Sequence, residues 1–237
     1  MYTLFCQKIM SDPRPFPLTE QLQNFMSDTQ ADGIFVFSGY LSQKGNEEKM
    51  LSDFLNSNIK YFGFGNTTKS NIALIKEHEN VLSKRNILLS VTRKDKMVDH
   101  RKMVFIFRAN QNGKITPRDL CRVAGSDPWS KLDDFMNSID VLCVAVGSSN
   151  FSYKTYFGSD YDELSKTHTG CYVADKGEAD IMMFHDEAFK DRMIQMIDND
   201  EDNGYHRNRM VLSQSLTNVP TDFLKIIFRE SLEGVLG

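Results

Sequence analysis

The chain lacks the features that mark secreted, membrane-spanning and zinc-binding proteins. Its 237 residues include only four cysteines, and these are too widely spaced to form a metal-ligand pattern. No run of about eighteen apolar residues is present, and residues 1–17 contain no basic stretch followed by a long apolar core. These absences predict a cytoplasmic, intracellular protein with reduced thiols and without a membrane partner.

The net charge is low, but the charged residues are unevenly distributed along the chain. The net charge is −4, yet residues 81–110 hold eight basic and two acidic side chains, a balance of +6. Residues 160–202 hold thirteen acidic and four basic side chains, a balance of −9. A basic block of this kind suits a polyanionic substrate, so Arg93, Lys96 and Arg101 are candidate substrate-binding residues. The single tryptophan, Trp129, either stacks on a base or anchors a loop to the core.

Apolar runs alternate with helical patterns along the chain. We expect strands over 33–40, 59–64, 86–92, 97–107, 141–146, 170–173 and 179–184. We expect helices over 18–26, 47–55, 70–82, 188–197 and 223–232. The alternation predicts an α/β sandwich in which helices flank a mixed sheet. The length suits a single domain over 1–237, with an N-terminal extension at 1–30 and a C-terminal helical part at 185–237.

Two short motifs carry the chemistry. The expected strand 97–107 contains His100-Arg101-Lys102, and residues two apart on a strand point to the same side of the sheet. The apolar run 141–146 ends in Gly147-Ser148-Ser149-Asn150, at the end of what we expect to be a neighbouring strand. A nucleophilic imidazole, a fixed ammonium group and neutral hydroxyl and amide donors together suit an attack on phosphorus.

At these residues the chain resembles the phospholipase D superfamily. The motif of that superfamily is His-x-Lys, four residues, Asp, six residues and Gly-Ser-x-Asn. Its aspartate would fall on Phe107, whereas Asp140 stands seven residues before Gly147 and restores the second spacing. An insertion over residues 108–139 between the two motif strands explains the difference, because surface connections tolerate added length. Residues 31–184 are similar in pattern to phospholipase-D-like restriction endonucleases.

The resemblance implies a dimeric active site. Members with one motif copy per chain are expected to pair as a homodimer, with the site at the interface. It implies that His100 of one subunit forms a covalent phosphohistidine while the second histidine protonates the leaving oxygen. Lys102 and Asn150 would hold the phosphoryl oxygens, and Ser148 would support them. The family also places a glutamate that orients the histidine, for which Glu178 is the first candidate and Glu163 the competitor.

The predicted activity is a metal-independent phosphodiesterase acting on nucleic acid, most simply a DNA endonuclease. No cofactor is expected, because the implied chemistry needs no divalent ion and no cluster of His, Asp and Glu has ligand spacing. Two alternatives stay open. A phospholipid phosphodiesterase would need an exposed apolar rim or a membrane helix. A catalytically silent module for nucleic-acid binding or oligomerisation is suggested by the displaced aspartate and the insertion.

Overall fold

A computed structural model describes twelve segments of the chain. The described residues are 1–8, 16–38, 47–54, 59–65, 86–90, 101–110, 128–148, 156–157, 178–199, 209–213, 219–220 and 222–236. At 47–50, 86–90, 128–131, 178 and 234–236 the description covers the backbone alone.

Eight strands in the described parts of the chain form one mixed sheet. They are β1 (Tyr2–Lys8), β2 (Gly33–Phe37), β3 (Tyr61–Gly65), β4 (Asn86–Ser90), β5 (Met103–Ala109), β6 (Ile139–Gly147), β7 (Glu178–Phe184) and β8 (Met210–Ser213). Their order across the sheet is β4-β3-β2-β5-β6-β7-β1-β8. The neighbours β2, β3 and β4 run parallel, whereas every other adjacent pair runs antiparallel. The chain therefore has the mixed α/β architecture predicted from its sequence.

Helices cover both faces of this sheet. They are α1 (Pro17–Asp28), α2 (Glu47–Phe54), α3 (Pro128–Asn137), α4 (Glu187–Asp198) and α5 (Phe223–Leu236). On one side, called the α1 face, residues of α1, α2 and α4 pack on sheet residues that include Val36, Val104 and Met182. On the other, called the α5 face, residues of α3 and α5 pack on sheet residues that include Phe35 and Phe105. None of the helices described is long and apolar enough to cross a membrane.

Local sequence explains why α1 begins and packs as it does. Pro17 occupies the first helical position, where its fixed φ suits the helix and its missing N–H is not needed. Leu18, Leu22, Phe25 and Met26 are buried at the spacing of one helical face. The expected helix over 18–26 is confirmed, as are the expected helices that correspond to α4 and α5.

The sheet contains two strands that the sequence did not predict. β1 pairs with β7 on one side and with β8 on the other, so it lies inside the sheet. The N-terminal extension expected over 1–30 therefore contains an inner strand and a core helix, and it is an integral part of the fold. Likewise, the expected helical part over 185–237 contributes β8 to the sheet edge.

The motif region also differs in detail from the expectation. β5 begins at Met103, so Arg101 and Lys102 precede the strand instead of lying within 97–107. The expected insertion over 108–139 includes the end of β5 and all of α3, which packs against α5. The helix expected over 70–82 and the strand expected over 170–173 lie outside the described residues.

Candidate active site

The two motif segments meet at one end of the sheet. β5 and β6 are antiparallel neighbours, and Met103 lies opposite Val146. One step further on, the backbone N–H of Gly147 donates to the carbonyl oxygen of Lys102 at 3.2 Å. This hydrogen bond places the start of β5 beside the end of β6, so the predicted neighbourhood of the His-x-Lys and Gly-Ser segments is confirmed for their described residues.

Ser148 fixes the end of β6 to β7. Its backbone N–H donates to the carbonyl oxygen of Ala179 at 3.1 Å, and its Oγ accepts from the N–H of Ala179 at 3.0 Å. A second, longer contact of 3.4 Å joins the same Oγ to the carbonyl oxygen of Ala179. The hydroxyl thus extends the pairing of β6 with β7 by one residue beyond Gly147.

A buried carboxylate lies directly over Gly147. Asp180 is opposite Gly147 in the β6–β7 register and is 3% exposed. Its Oδ1 lies 1.7 Å from the position that a Cβ atom on Gly147 would occupy. The glycine is therefore required for space, because any larger residue would collide with this carboxylate. Glycine in the Gly-Ser motif here makes room for an acidic side chain on the neighbouring strand.

A row of residues crosses this end of the sheet, with Cys6 in β1, Asp180 in β7, Gly147 in β6 and Lys102 immediately before β5. Gly147 and Cys6 are each opposite Asp180 in register, and Lys102 is joined to Gly147 by the backbone hydrogen bond. In the alternation of β5, Lys102 falls on the α1 face with Val104. Burial raises the pKa of the Cys6 thiol, and the charge of Asp180 raises it further. The row brings a half-buried cation and a buried carboxylate to the same end and face of the sheet.

Asp180 is the residue that sequence reasoning missed. The sequence drew attention to Glu178 as a carboxylate that begins an apolar strand, and it did not single out Asp180. The sequence could have revealed it, because residues two apart on a strand point to the same face. Asp180 therefore shares a face with Met182 and Phe184, which both belong to the core of the α1 face. An acidic residue at a core-facing strand position is rare and needs a special environment.

Arg101 and Arg108 both lie away from this row. The Arg101 guanidinium donates to the carbonyl oxygen of Ser231 in α5 at 2.8 Å, and it lies 4.6 Å from the centre of the Phe37 ring. Arg108 is opposite Asp140 at the far end of β5. Of the three described cations in the basic block, only Lys102 is therefore at the candidate site on the α1 face.

Three further predicted residues have a described backbone. Asp140 is the second residue of β6 and is exposed, so it lies at the opposite end of that strand from Gly147. Trp129 lies in the first turn of α3. Glu178 begins β7 opposite Lys8, at the same end of the sheet as Gly147.

Several predicted residues lie outside the described part of the chain. They are Arg93, Lys96, His100, Asn150 and Glu163. In sequence, His100 directly precedes Arg101, and Asn150 follows Ser148 by two residues. Among the described residues, no group of three or more His, Cys, Asp or Glu side chains is arranged to hold a metal ion.

Comparison with protein-family models and with curated proteins identifies no relative of this chain. No protein-family model matches the chain, and no curated protein matches it. The candidate site is therefore defined by its motifs and by the geometry of the described residues.

Proposed function

We propose that the protein is a phosphodiesterase that cleaves nucleic acid through a nucleophilic histidine, without a metal ion. The observation that carries this proposal is the hydrogen bond between Gly147 and Lys102, which unites the two motif segments although 44 residues separate them in sequence. Covalent geometry limits the distance between the Cα atoms of His100 and Lys102 to about 7 Å. The proposal therefore assigns the nucleophile and its cation to the same end of the sheet.

The chemistry assigns a role to each motif residue. The imidazole of His100 attacks phosphorus and displaces the leaving oxygen, which gives a phosphohistidine. Lys102 and Asn150 stabilise the charge that develops on the phosphoryl oxygens. Water then attacks the phosphohistidine, and this step releases the product and regenerates the imidazole. Ser148 holds the end of β6 in place, as its bonds to Ala179 indicate.

The resemblance to single-motif phospholipase D proteins supports a homodimer in which two histidines serve one site. The imidazole of His100 of the partner subunit would donate a proton to the leaving oxygen and then accept one from water. A two-fold axis through the site would bring the same row of residues together from both chains. The basic balance of residues 81–110 supports DNA as the substrate class.

The first test is cleavage of plasmid and single-stranded DNA in excess EDTA. We expect wild-type protein to cleave, and we expect His100→Ala and Lys102→Ala to lower the rate by about three orders of magnitude or more. Arg192→Ala is the matched control, because Arg192 pairs with Asp28 at a distant surface. Absence of cleavage by folded wild-type protein would contradict a metal-independent nuclease. Cleavage of phospholipid vesicles by the same sample would then favour the lipid alternative.

A second test addresses the dimer. Wild-type and His100→Ala chains are mixed in equal amounts, unfolded and refolded together. If both histidines serve one site, only dimers of two wild-type chains are active, and we expect about a quarter of the wild-type activity. Half of the activity would show that each chain works alone.

A further inference from the structure

Helix α5 lies behind the candidate site, on the opposite face of the sheet. Its residues Leu224, Phe228 and Leu232 are buried in the core of the α5 face. The ring of Phe228 stacks on that of Phe105 in β5 with the ring centres 4.4 Å apart. The strand that follows the His-x-Lys segment is therefore packed directly against this helix.

A single residue of α5 contacts the chain on both sides of Lys102. The carbonyl oxygen of Ser231 accepts a hydrogen bond from Arg101 at 2.8 Å. The hydroxyl of Ser231 lies 3.7 Å from the sulfur of Met103. Ser231 is only 6% exposed, and both contacts are partly buried.

Arg101 has a second anchor on the sheet itself. Its guanidinium carbon lies 4.6 Å from the centre of the Phe37 ring, within the range of a cation–π interaction. Phe37 is fully buried and is opposite Met103 in the β2–β5 register. Arg101 is thus held by a helix carbonyl and by a core ring, and both belong to the α5 face.

Alternation along the chain separates the two sides of this segment. Arg101 and Met103 are directed to the α5 face, whereas Lys102 falls on the α1 face with the row that contains Asp180. Fixing the residues on either side of Lys102 restricts the backbone from which the ammonium group projects. A reacting group held in one geometry accelerates a reaction, because less freedom is lost when the transition state forms.

We propose that Arg101 is a positioning residue, which anchors residues 101–103 to Ser231 of α5 and to the Phe37 ring of β2 and so fixes the backbone from which Lys102 projects. Arg101 then acts through the backbone and does not bind substrate. The proposal differs from the expectation, drawn from the basic block, that Arg101 contacts the substrate directly. The expected fall in kcat rests on the proposed phosphodiesterase function. The expected effect on backbone hydrogen exchange does not depend on that function.

The test compares Arg101→Ala, Arg101→Lys and wild-type protein. The control is Arg229→Ala on the same helix, because Arg229 pairs with Asp133 and Glu233 at the surface. For DNA cleavage, we expect Arg101→Ala to lower kcat about tenfold or more and to leave KM within about twofold. Arg101→Lys, which keeps a cation and a donor for Ser231, restores part of kcat. Arg229→Ala leaves both constants near the wild-type values.

A second measurement is independent of activity. Hydrogen exchange followed by mass spectrometry reports the opening of the backbone in peptides that span residues 97–105. Faster exchange there in Arg101→Ala, with wild-type exchange in Arg229→Ala, supports the anchor even if no cleavage is found. If Arg101→Ala does not fold, Arg101→Met replaces it, because methionine can still pack on Phe37 but cannot donate to Ser231.

Two outcomes overturn the proposal. One is unchanged exchange over residues 97–105 in Arg101→Ala. The other is a raised KM with unchanged kcat, together with a fall of about one in the salt slope of DNA binding, which is the signature of a lost phosphate contact. Inactive wild-type protein whose exchange still responds to Arg101→Ala would remove the proposed function and leave the anchor standing.

Discussion

Phe228 of α5 and Phe105 of β5 stack face to face, with 4.4 Å between ring centres and 16° between ring planes. Phe228 also lies near the rings of Phe35, Phe107 and Phe135, so one helical residue contacts an aromatic group gathered from three elements. These ring contacts hold α5 against the sheet, and Ser231 of the same helix accepts a hydrogen bond from Arg101.

Replacing Phe228 with alanine should weaken the packing of α5 on the sheet. We expect Phe228→Ala to lower the free energy of unfolding by about 3–5 kcal/mol, because the change leaves a cavity in a packed core. Urea denaturation followed by circular dichroism measures it. Ile226→Ala on the same helix is the control. Ile226 is 40% exposed, so its loss should cost about 0.5 kcal/mol or less. Equal effects of the two changes would contradict the described packing of α5.

Gly147→Ala should destabilise the protein by about 1–3 kcal/mol, because the new methyl group would collide with Oδ1 of Asp180. The carbonyl oxygen of Ala179 lies 2.4 Å from the same position, so part of the collision involves backbone. The measurement is again the free energy of unfolding. The penalty should shrink in the Asp180→Ala background without disappearing, and a neutral Gly147→Ala would show that the carboxylate lies elsewhere.

Cys6 and Cys143 should resist alkylation in the native protein. Both side chains are fully buried, and burial raises the pKa of each thiol, so little reactive thiolate is available. Iodoacetamide at pH 8, followed by peptide mass mapping, should label both residues in urea and neither in buffer. Rapid labelling of Cys143 in buffer would contradict its place in the core. Cys143 lies in the apolar run 141–146 and is a buried free thiol.

Glu187 should make stability depend on pH in the acid range. Hydrogen bonds from Lys190 and then from Tyr2 hold the pKa of this carboxyl below its ordinary value of 4.5. A lowered folded-state pKa contributes stability that is present above the unfolded-state value and is lost as pH falls through the folded-state value. The difference in urea midpoint between wild type and Glu187→Gln should therefore shrink as pH falls below 4.5 and vanish once pH is below the folded-state pKa of Glu187.

Tyr2→Phe tests whether the hydrogen bond from Tyr2 contributes to the lowered pKa of Glu187. It removes one donor to Glu187 and keeps the ring that packs on Phe184. The pKa of Glu187, followed by NMR, should move up toward 4.5 in this variant. An unchanged value would show that Tyr2 does not contribute to the shift.

Much of the sheet could be predicted because its inner strands are strongly apolar. β2 and β5 are buried on both faces, and β6 carries an apolar run that ends in a recognisable motif. The proximity of Lys102 and Gly147 could be predicted from the motif, because both motif segments must reach the same phosphoryl group. The position of β5 was predicted less well, because the predicted strand over 97–107 includes the charged residues Arg101 and Lys102, whereas β5 begins at Met103.

β1 and β8 could not be predicted for a different reason. β8 has only four residues, and β1 obtains its partners from residues far away in sequence. Local patterns carry no information about such pairings. The same limit applies to Arg101 and Asp180, because their roles depend on what lies behind or beside them in space, namely Ser231 and Gly147.

The position of β1 between β7 and β8 has a consequence for how the protein forms. Lys8 pairs with Glu178, 170 residues later in the chain. At a synthesis rate of about 5–20 residues per second, the ribosome takes about 10–35 s to deliver the first partner of β1. During that time both hydrogen-bonding edges of an apolar strand lack the neighbours that the finished sheet provides. Completion of the sheet is therefore a late event in biosynthesis, because β1 has no partner on either side until β7 and β8 have been made.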